Sequence, residues 1–265
     1  TRTVQLYDVR EGRQLPTIIK DSGGIGGLVV IPDGLHGAVA FNSSTPRVRF
    51  FDMATGEKAG TDLTPMKGTT ALALSPDGRQ MATGSSDFTA QIWDVESRQP
   101  VGMPLVHETS VNTLAFSSDG RLLATASVSK DLRVRIWNVT TGQIEGEPIK
   151  VASTVTRLAF SPDRSMLAVA TDTGTGLYDV RTRQRTLEIG RAQITKDARF
   201  NRDGSLLAVA TERDGVMVVN PASGKEAFPP LTHENSVMTV RFSADGTRLL
   251  SASLDGTARL WDTQT

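Results

Sequence analysis

The sequence predicts an all-β molecule built from one supersecondary unit repeated along its length, and two markers locked to one period carry that prediction. The first marker is an aromatic or large apolar residue followed at once by Asp or Asn. It occurs at Tyr7-Asp8, Phe51-Asp52, Trp93-Asp94, Trp137-Asn138, Tyr178-Asp179, Val219-Asn220 and Trp261-Asp262, at intervals of 41 to 44 residues. The second is a turn signal on the same beat, at Pro32-Asp33-Gly34, Pro76-Asp77-Gly78, Ser118-Asp119-Gly120, Pro162-Asp163-Arg164, Arg202-Asp203-Gly204 and Ala244-Asp245-Gly246. Such a period means units too small to bury their apolar faces alone, which form a core by stacking on their neighbours.

The stretch 111–149 shows how each element of a unit is specified. Val111 to Phe116 is a short apolar-rich run, strand a. The Asp119-Gly120 turn ends it, because Gly supplies positive φ and Asp bonds its own backbone. Leu122 to Ser127 is strand b, whose small and aliphatic residues suit a sheet covered on both faces. Strand c, Leu132 to Val139, sets Val134 and Ile136 against Arg133 and Arg135, the period of two of a strand with one drier side. Thr141-Gly142 then turns the chain into strand d, Gln143 to Ile149, which is more polar, as an outer edge should be. No segment holds the 3.6-residue apolar period of a helix. Four antiparallel strands per unit, repeated without a linker, read as the blades of a β-propeller.

Composition narrows the partners. The formal net charge over 265 residues is zero, so nothing draws the whole chain toward nucleic acid or anionic lipid. Two tyrosines leave little for base stacking, and no nucleic-acid partner is expected. No apolar run approaches the roughly 18–20 residues of a membrane-spanning helix, so no membrane role is expected. The absence of cysteine excludes disulfide and thiolate chemistry and suits a reducing compartment, whence a cytoplasmic location is expected. The opening Thr1-Arg2-Thr3 is neither a signal peptide nor a natural start, and the chain reads as a soluble piece of a longer polypeptide.

The runs His107…Val111-Asn112-Thr113-Leu114-Ala115-Phe116-Ser117…Asp119-Gly120…Asp131…Trp137-Asn138 and His233…Phe242-Ser243…Asp245-Gly246…Ser251…Asp255…Trp261-Asp262 closely resemble WD40 repeats. The resemblance extends over one domain, 1–265, with a partial blade near 1–20 and blades near 21–64, 65–106, 107–150, 151–190, 191–232 and 233–265. It implies a hydrogen-bonded tetrad inside a blade: a His before strand a, a Ser or Thr in strand b, the b–c turn Asp, and the Trp. Two blades carry it complete, as His107, Thr125, Asp131 and Trp137, and as His233, Ser251, Asp255 and Trp261. A third keeps Thr83, Asp87 and Trp93, with Pro65 in place of His; another keeps Asp172 with Tyr178. In the unit ending at Val219 the Asp position falls on Arg213, and in the one ending at Phe51 on Thr45. A partly buried Asp needs donors, and imidazole and hydroxyl supply them. A His–Ser–Asp grouping also occurs in hydrolase triads, but a nucleophile would occur once and not at the repeat period.

There are seven c-type strands and six a–b hairpins. A seven-bladed propeller with an incomplete first blade is favoured, because the c strand Val4 to Val9 needs an a and a b strand of its own. The alternative is six blades, closed by the strand near Gln14–Ile19 joining the sheet that begins near Val237.

Several local patterns reduce to the fold. Gly23-Gly24-Ile25-Gly26-Gly27 precedes a strand instead of opening a helix, so it lacks the amides and dipole that hold phosphate and is expected in a d–a loop. Ser127-Val128-Ser129-Lys130 has Ser-x-x-Lys spacing but lies on an expanded b–c turn and not on a helix. Asn42-Ser43-Ser44 and Asn138-Val139-Thr140 match a glycosylation pattern, and Asn138 already fills the Asp slot of a repeat. Arg181, Arg183 and Arg185 alternate along a turn and outer strand, where solvated charge protects a sheet edge. The three histidines are too far apart in the register to share a metal, so neither metal nor cofactor is expected.

By the same resemblance, the rim of d–a loops and b–c turns binds peptides. Asn112, Thr156, Lys196 and Met238 project there at the start of strand a, Glu108 and Asn235 in d–a loops, and Lys130 on the expanded b–c turn. Their mixed chemistry suits a protein surface better than one small substrate. Turns such as Ser75-Pro76-Asp77-Gly78 resemble those of arrays in bacterial regulators, which implies a non-catalytic docking or sensor array of a larger signalling protein, binding a protein, a peptide or other domains of its own chain. The competing reading is a lactonase-like propeller hydrolase. It requires converging titratable groups at one channel mouth, whereas the register places Lys196 and Asp197 together without a second carboxylate opposite.

Overall fold

The structure, a computed structural model, describes residues 2–8, 13–21, 24–42, 45–65, 67–128, 131–190 and 193–264. Every element among them is a strand, and every pairing is antiparallel. The first sheet has two strands, β1 (Arg2–Asp8) and β2 (Arg13–Asp21). The second joins β3 (Gly24–Val30), β4 (His36–Asn42) and β5 (Arg47–Asp52). Three four-stranded sheets follow. They are β6 (Thr69–Leu74), β7 (Gln80–Ser85), β8 (Thr89–Asp94) and β9 (Pro100–Val106); β10 (Val111–Phe116), β11 (Leu122–Ser127), β12 (Arg133–Asn138) and β13 (Ile149–Lys150); and β14 (Val155–Phe160), β15 (Met166–Thr171), β16 (Gly174–Asp179) and β17 (Arg185–Ile189). Two three-stranded sheets complete the order: β18 (Thr195–Phe200), β19 (Leu207–Thr211) and β20 (Val216–Val219), then β21 (Val237–Phe242), β22 (Arg248–Ser253) and β23 (Ala258–Asp262).

This is the expected all-β propeller architecture. In each sheet the strands lie in chain order, and the a strands β3, β6, β10, β14, β18 and β21 line one central cavity or pack on neighbouring a strands. The turns do what their residues require. In the β10–β11 hairpin Asp119 Oδ1 accepts from the Ser117 hydroxyl at 2.7 Å and from the Arg121 amide at 3.2 Å, while Gly120 takes φ 72°. Each core cluster forms between two adjacent sheets. Ala124, Ala126 and Ile136 of one sheet, for instance, pack on Val155, Leu158 and Leu167 of the next.

Two expectations change. The glycine run is a strand and not a d–a loop: Gly24 to Gly27 begin β3. A Cβ on Gly26 would lie 2.0 Å from the Thr69 carbonyl oxygen, and one on Gly27 would lie 2.7 Å from Leu72 Cβ, so close approach of β3 to β6 explains these two glycines. Among the described residues the strand near Gln14–Ile19 does not join the last sheet to close six blades either. β2 pairs with β1, and the sheet of β21, β22 and β23 has three strands. Val4 and Leu6 of β1 pack on Val39, Phe41 and Phe51, which places β1 against the face of the β3–β5 sheet.

Candidate functional site

The tetrads tie the strands of a blade to the loop and turn that form the rim. In the β10–β13 blade, Trp137 Nε1 donates to Thr125 Oγ1 at 2.8 Å, and that oxygen lies 3.1 Å from His107 Nε2. His107 Nδ1 meets Ser127 Oγ at 3.0 Å in place of the expected Asp131. Arg135 Nη1 takes the Asp131 carboxylate instead. Burial drives the His107 pKa from 6.5 down to about 4; nearby Arg135 reinforces the shift and Asp131 opposes it.

In the β21–β23 blade, His233 joins both partners, with Nδ1 2.9 Å from Asp255 Oδ2 and Nε2 2.7 Å from Ser251 Oγ. Trp261 Nε1 donates to the same Ser251 oxygen at 2.8 Å. Hydrogen bonds led by the Thr257 hydroxyl hold the Asp255 carboxyl well below the usual carboxylate range, against its desolvation. The blade with Pro65 keeps the Trp93 Nε1 to Thr83 Oγ1 bond at 2.9 Å, and Asp87 accepts from Thr89 Oγ1 at 2.6 Å. In the β18–β20 blade the carboxylate is Asp214, one residue beyond the position assigned to Arg213. Gln193 donates to it where other blades use His.

The rim candidates divide by what their side chains touch. Glu108 is exposed and pairs with Arg133 Nη1 at 3.0 Å, Asn235 is exposed, and Lys196 is half-buried. Asn112 Nδ2 donates to the Val155 carbonyl at 3.2 Å and Thr156 Oγ1 to the Thr195 carbonyl at 2.6 Å, each reaching the next blade. Thr70, in the same register, donates to the Val111 carbonyl. Met238 holds that register in the last described blade and is exposed. Lys130 lies outside the described residues.

One rim residue went unnoticed in the sequence. Phe88 sits in the β7–β8 turn with φ 74° and a half-exposed ring. The sibling turn places Gly256 there, at φ 83°. Aligning Ser86-Asp87-Phe88-Thr89 with Leu254-Asp255-Gly256-Thr257 exposes the substitution. An aromatic residue in the left-handed region costs on the order of 1–2 kcal/mol relative to Gly. Val106, exposed on the edge strand beside it, pairs with Thr89.

The central cavity holds about 770 Å³ and is lined by a strands from Gly26 round to Arg241. Asp197 of β18 lies fully buried behind its lining, 3.0 Å from Arg157 Nε and 2.6 Å from Arg241 Nη1, two arginines that line the cavity. The register reading found Asp197 and missed Arg157, Arg199 and Arg241, which come from three different repeats. Among the described residues no group of three or more His, Cys, Asp or Glu side chains could hold a metal ion.

Two family models match the chain. One, described as "Nucleolar protein 10-like, N-terminal domain", covers residues 34–175, more than half of the chain. The other, described as "WD domain, G-beta repeat", covers residues 229–262, the blade of His233 and Trp261. No curated protein matches the chain. Propellers of these families commonly serve as non-catalytic scaffolds that bind proteins or peptides.

Proposed function

The chain belongs to the WD40-type β-propellers, in the family described as "Nucleolar protein 10-like, N-terminal domain", and from that premise we propose that it is a non-catalytic docking array that holds a protein or peptide on its rim of d–a loops and b–c turns. The observation that carries this reading is Phe88. A half-exposed aromatic ring in a backbone conformation that Gly would adopt without strain costs stability in the free protein, and such strain persists where it serves a contact. Aromatic anchors dominate the energetics of protein contacts, and the exposed Val106 and Ser86 beside it extend the surface. Lys196, Glu108 and Asn235 supply the polar part of the same rim.

The reading covers a regulatory or signalling role in a larger protein, with other domains of that protein among the candidate ligands, and a cytoplasmic location. The matched family's description names the nucleolus, and microscopy of the tagged chain decides between the two compartments. Quantitative affinity capture with the wild-type array and Phe88→Gly tests the contact. The variant is expected to lose partner capture by about tenfold or more while its melting temperature stays level or rises. Undiminished capture by Phe88→Gly overturns the rim assignment.

A further inference from the structure

The arginines around Asp197 have no part in the rim reading. Asp197 Oδ2 accepts from Arg241 Nη1 at 2.6 Å and from Thr239 Oγ1 at 2.8 Å, and Oδ1 accepts from Arg157 Nε at 3.0 Å. Arg199 Nε lies 3.2 Å from the same Oδ1 without a hydrogen-bonding alignment. One buried carboxylate thus serves three guanidinium groups from three successive blades. Two positive charges are left over. Arg202 adds another, since the cavity lining includes Arg157, Arg199, Arg202 and Arg241 and no Asp or Glu.

Each arginine of the Asp197 cluster keeps at least one terminal nitrogen without a protein partner among the described residues. Crowding cations in a partly desolvated wall is unfavourable unless a counter-charge joins them. Burial, with repulsion from Arg241 and Arg157, pulls the Arg199 pKa down to about 10 in spite of the attraction of Asp197. The guanidinium fork matches phosphate and carboxylate oxygens in pairs. Arg199, Arg202 and Arg241 stand toward the end of strand a and the a–b turns, at the opposite end of the cavity from the Phe88 rim, and Arg157 lies halfway along its own strand.

We propose that the a–b turn end of the central cavity binds a multiply charged anion bearing phosphoryl or clustered carboxylate groups, held by Arg157, Arg199, Arg202 and Arg241. Asp197 is the positioning residue that fans the guanidinium groups around its own carboxylate and leaves their outer nitrogens for the ligand. The site is independent of the rim and stands or falls separately from it.

Calorimetric titration at low salt with tripolyphosphate and with citrate tests the proposal. Saturable binding of tripolyphosphate alone assigns the site to phosphoryl ligands, and of citrate alone to carboxylates; binding of both makes it a general polyanion site. Arg241→Gln and Arg202→Gln are each expected to weaken binding about tenfold, the effect of losing one charge-assisted contact. Arg181→Gln, on an exposed c–d turn, should leave binding unchanged. Arg202 has no hydrogen bond or ion pair among the described residues, so its variant decides the matter even where Arg241→Gln impairs folding. A wild-type protein that takes up neither probe, or an Arg202→Gln protein that binds as tightly as wild type, overturns the proposal.

Discussion

The β10–β13 blade and the β21–β23 blade carry matching tetrads, with Thr125 in one where the other has Ser251, yet they differ in what covers them. Ala124 and Ile136 in the first are buried between two neighbouring sheets. Their register partners in the last described blade are Leu250 and Leu260, 45% and 60% exposed. The difference shows that the tetrad orders a blade from within but does not cover its faces. Stacking does that, as expected of a repeat array whose units touch only their neighbours. It also alters the tetrad itself. Asp131 is buried and paired with the nearly buried Arg135, whereas Arg259, the corresponding arginine beside Asp255, is more than a third exposed.

The largest effect that would break this comparison is removal of the inner carboxylate. Asp131→Ala leaves the nearly buried Arg135 with only the exposed Glu108, 3.9 Å away, as a counter-charge, and is expected to cost about 3 kcal/mol of unfolding free energy in urea. Asp255→Ala should lower the melting temperature less, because Arg259 can rehydrate. Equal losses would mean that burial does not distinguish the two blades.

Truncation at one register position sharpens the point. Ile136→Ala should cost about 2–4 kcal/mol by opening a cavity between sheets, while Leu260→Ala should stay within about 0.5 kcal/mol of wild type. A large loss for Leu260→Ala would show that its face is covered in solution.

The pH dependence comes next. Folded His107 stays neutral down to about pH 4, against 6.5 for an unperturbed group. The unfolded chain therefore binds more protons between those values, and stability is full above about pH 6.5 and falls as pH drops toward 4, by up to about 3 kcal/mol. His107→Gln should flatten that slope; a slope unchanged in the variant would assign it to other groups. The one expected gain is modest: Phe88→Gly should stabilise the β6–β9 blade by about 1 kcal/mol in thermal unfolding, since Gly accepts φ 74° without strain.

Most of the architecture was legible because each blade restates the same instructions. Trp-Asp pairs mark the end of strand c, Asp-Gly marks the a–b turn, and alternation marks strand c, so errors in one repeat are corrected by the others. What was not legible depends on contacts between repeats. Gly26 reads as loop-forming until the Thr69 carbonyl is placed where its Cβ would be. Arg157 and Asp197 occupy the same register position in successive blades, so a reading along the chain sees two ordinary polar residues and not an ion pair across a blade boundary. Gln193 and Asp214 replace a His–Asp pair with a different spacing, which the motif could not anticipate. Phe88 was within reach of the sequence alone, since it stands where a sibling turn has Gly.

The second residue of strand a joins one blade to the next in a fixed direction: Thr70 to Val111, Asn112 to Val155, Thr156 to Thr195. Every donor looks forward along the chain and every acceptor is a main-chain carbonyl, present whatever the side chain. Each of these three blades therefore carries its own fastener and asks nothing of its successor's side chain. Duplication or loss of a whole repeat adds or removes one such link and leaves the remainder matched. Such a link accepts any repeat as its successor, and a rim turn can hold Phe88 in one blade and Gly256 in another without disturbing it.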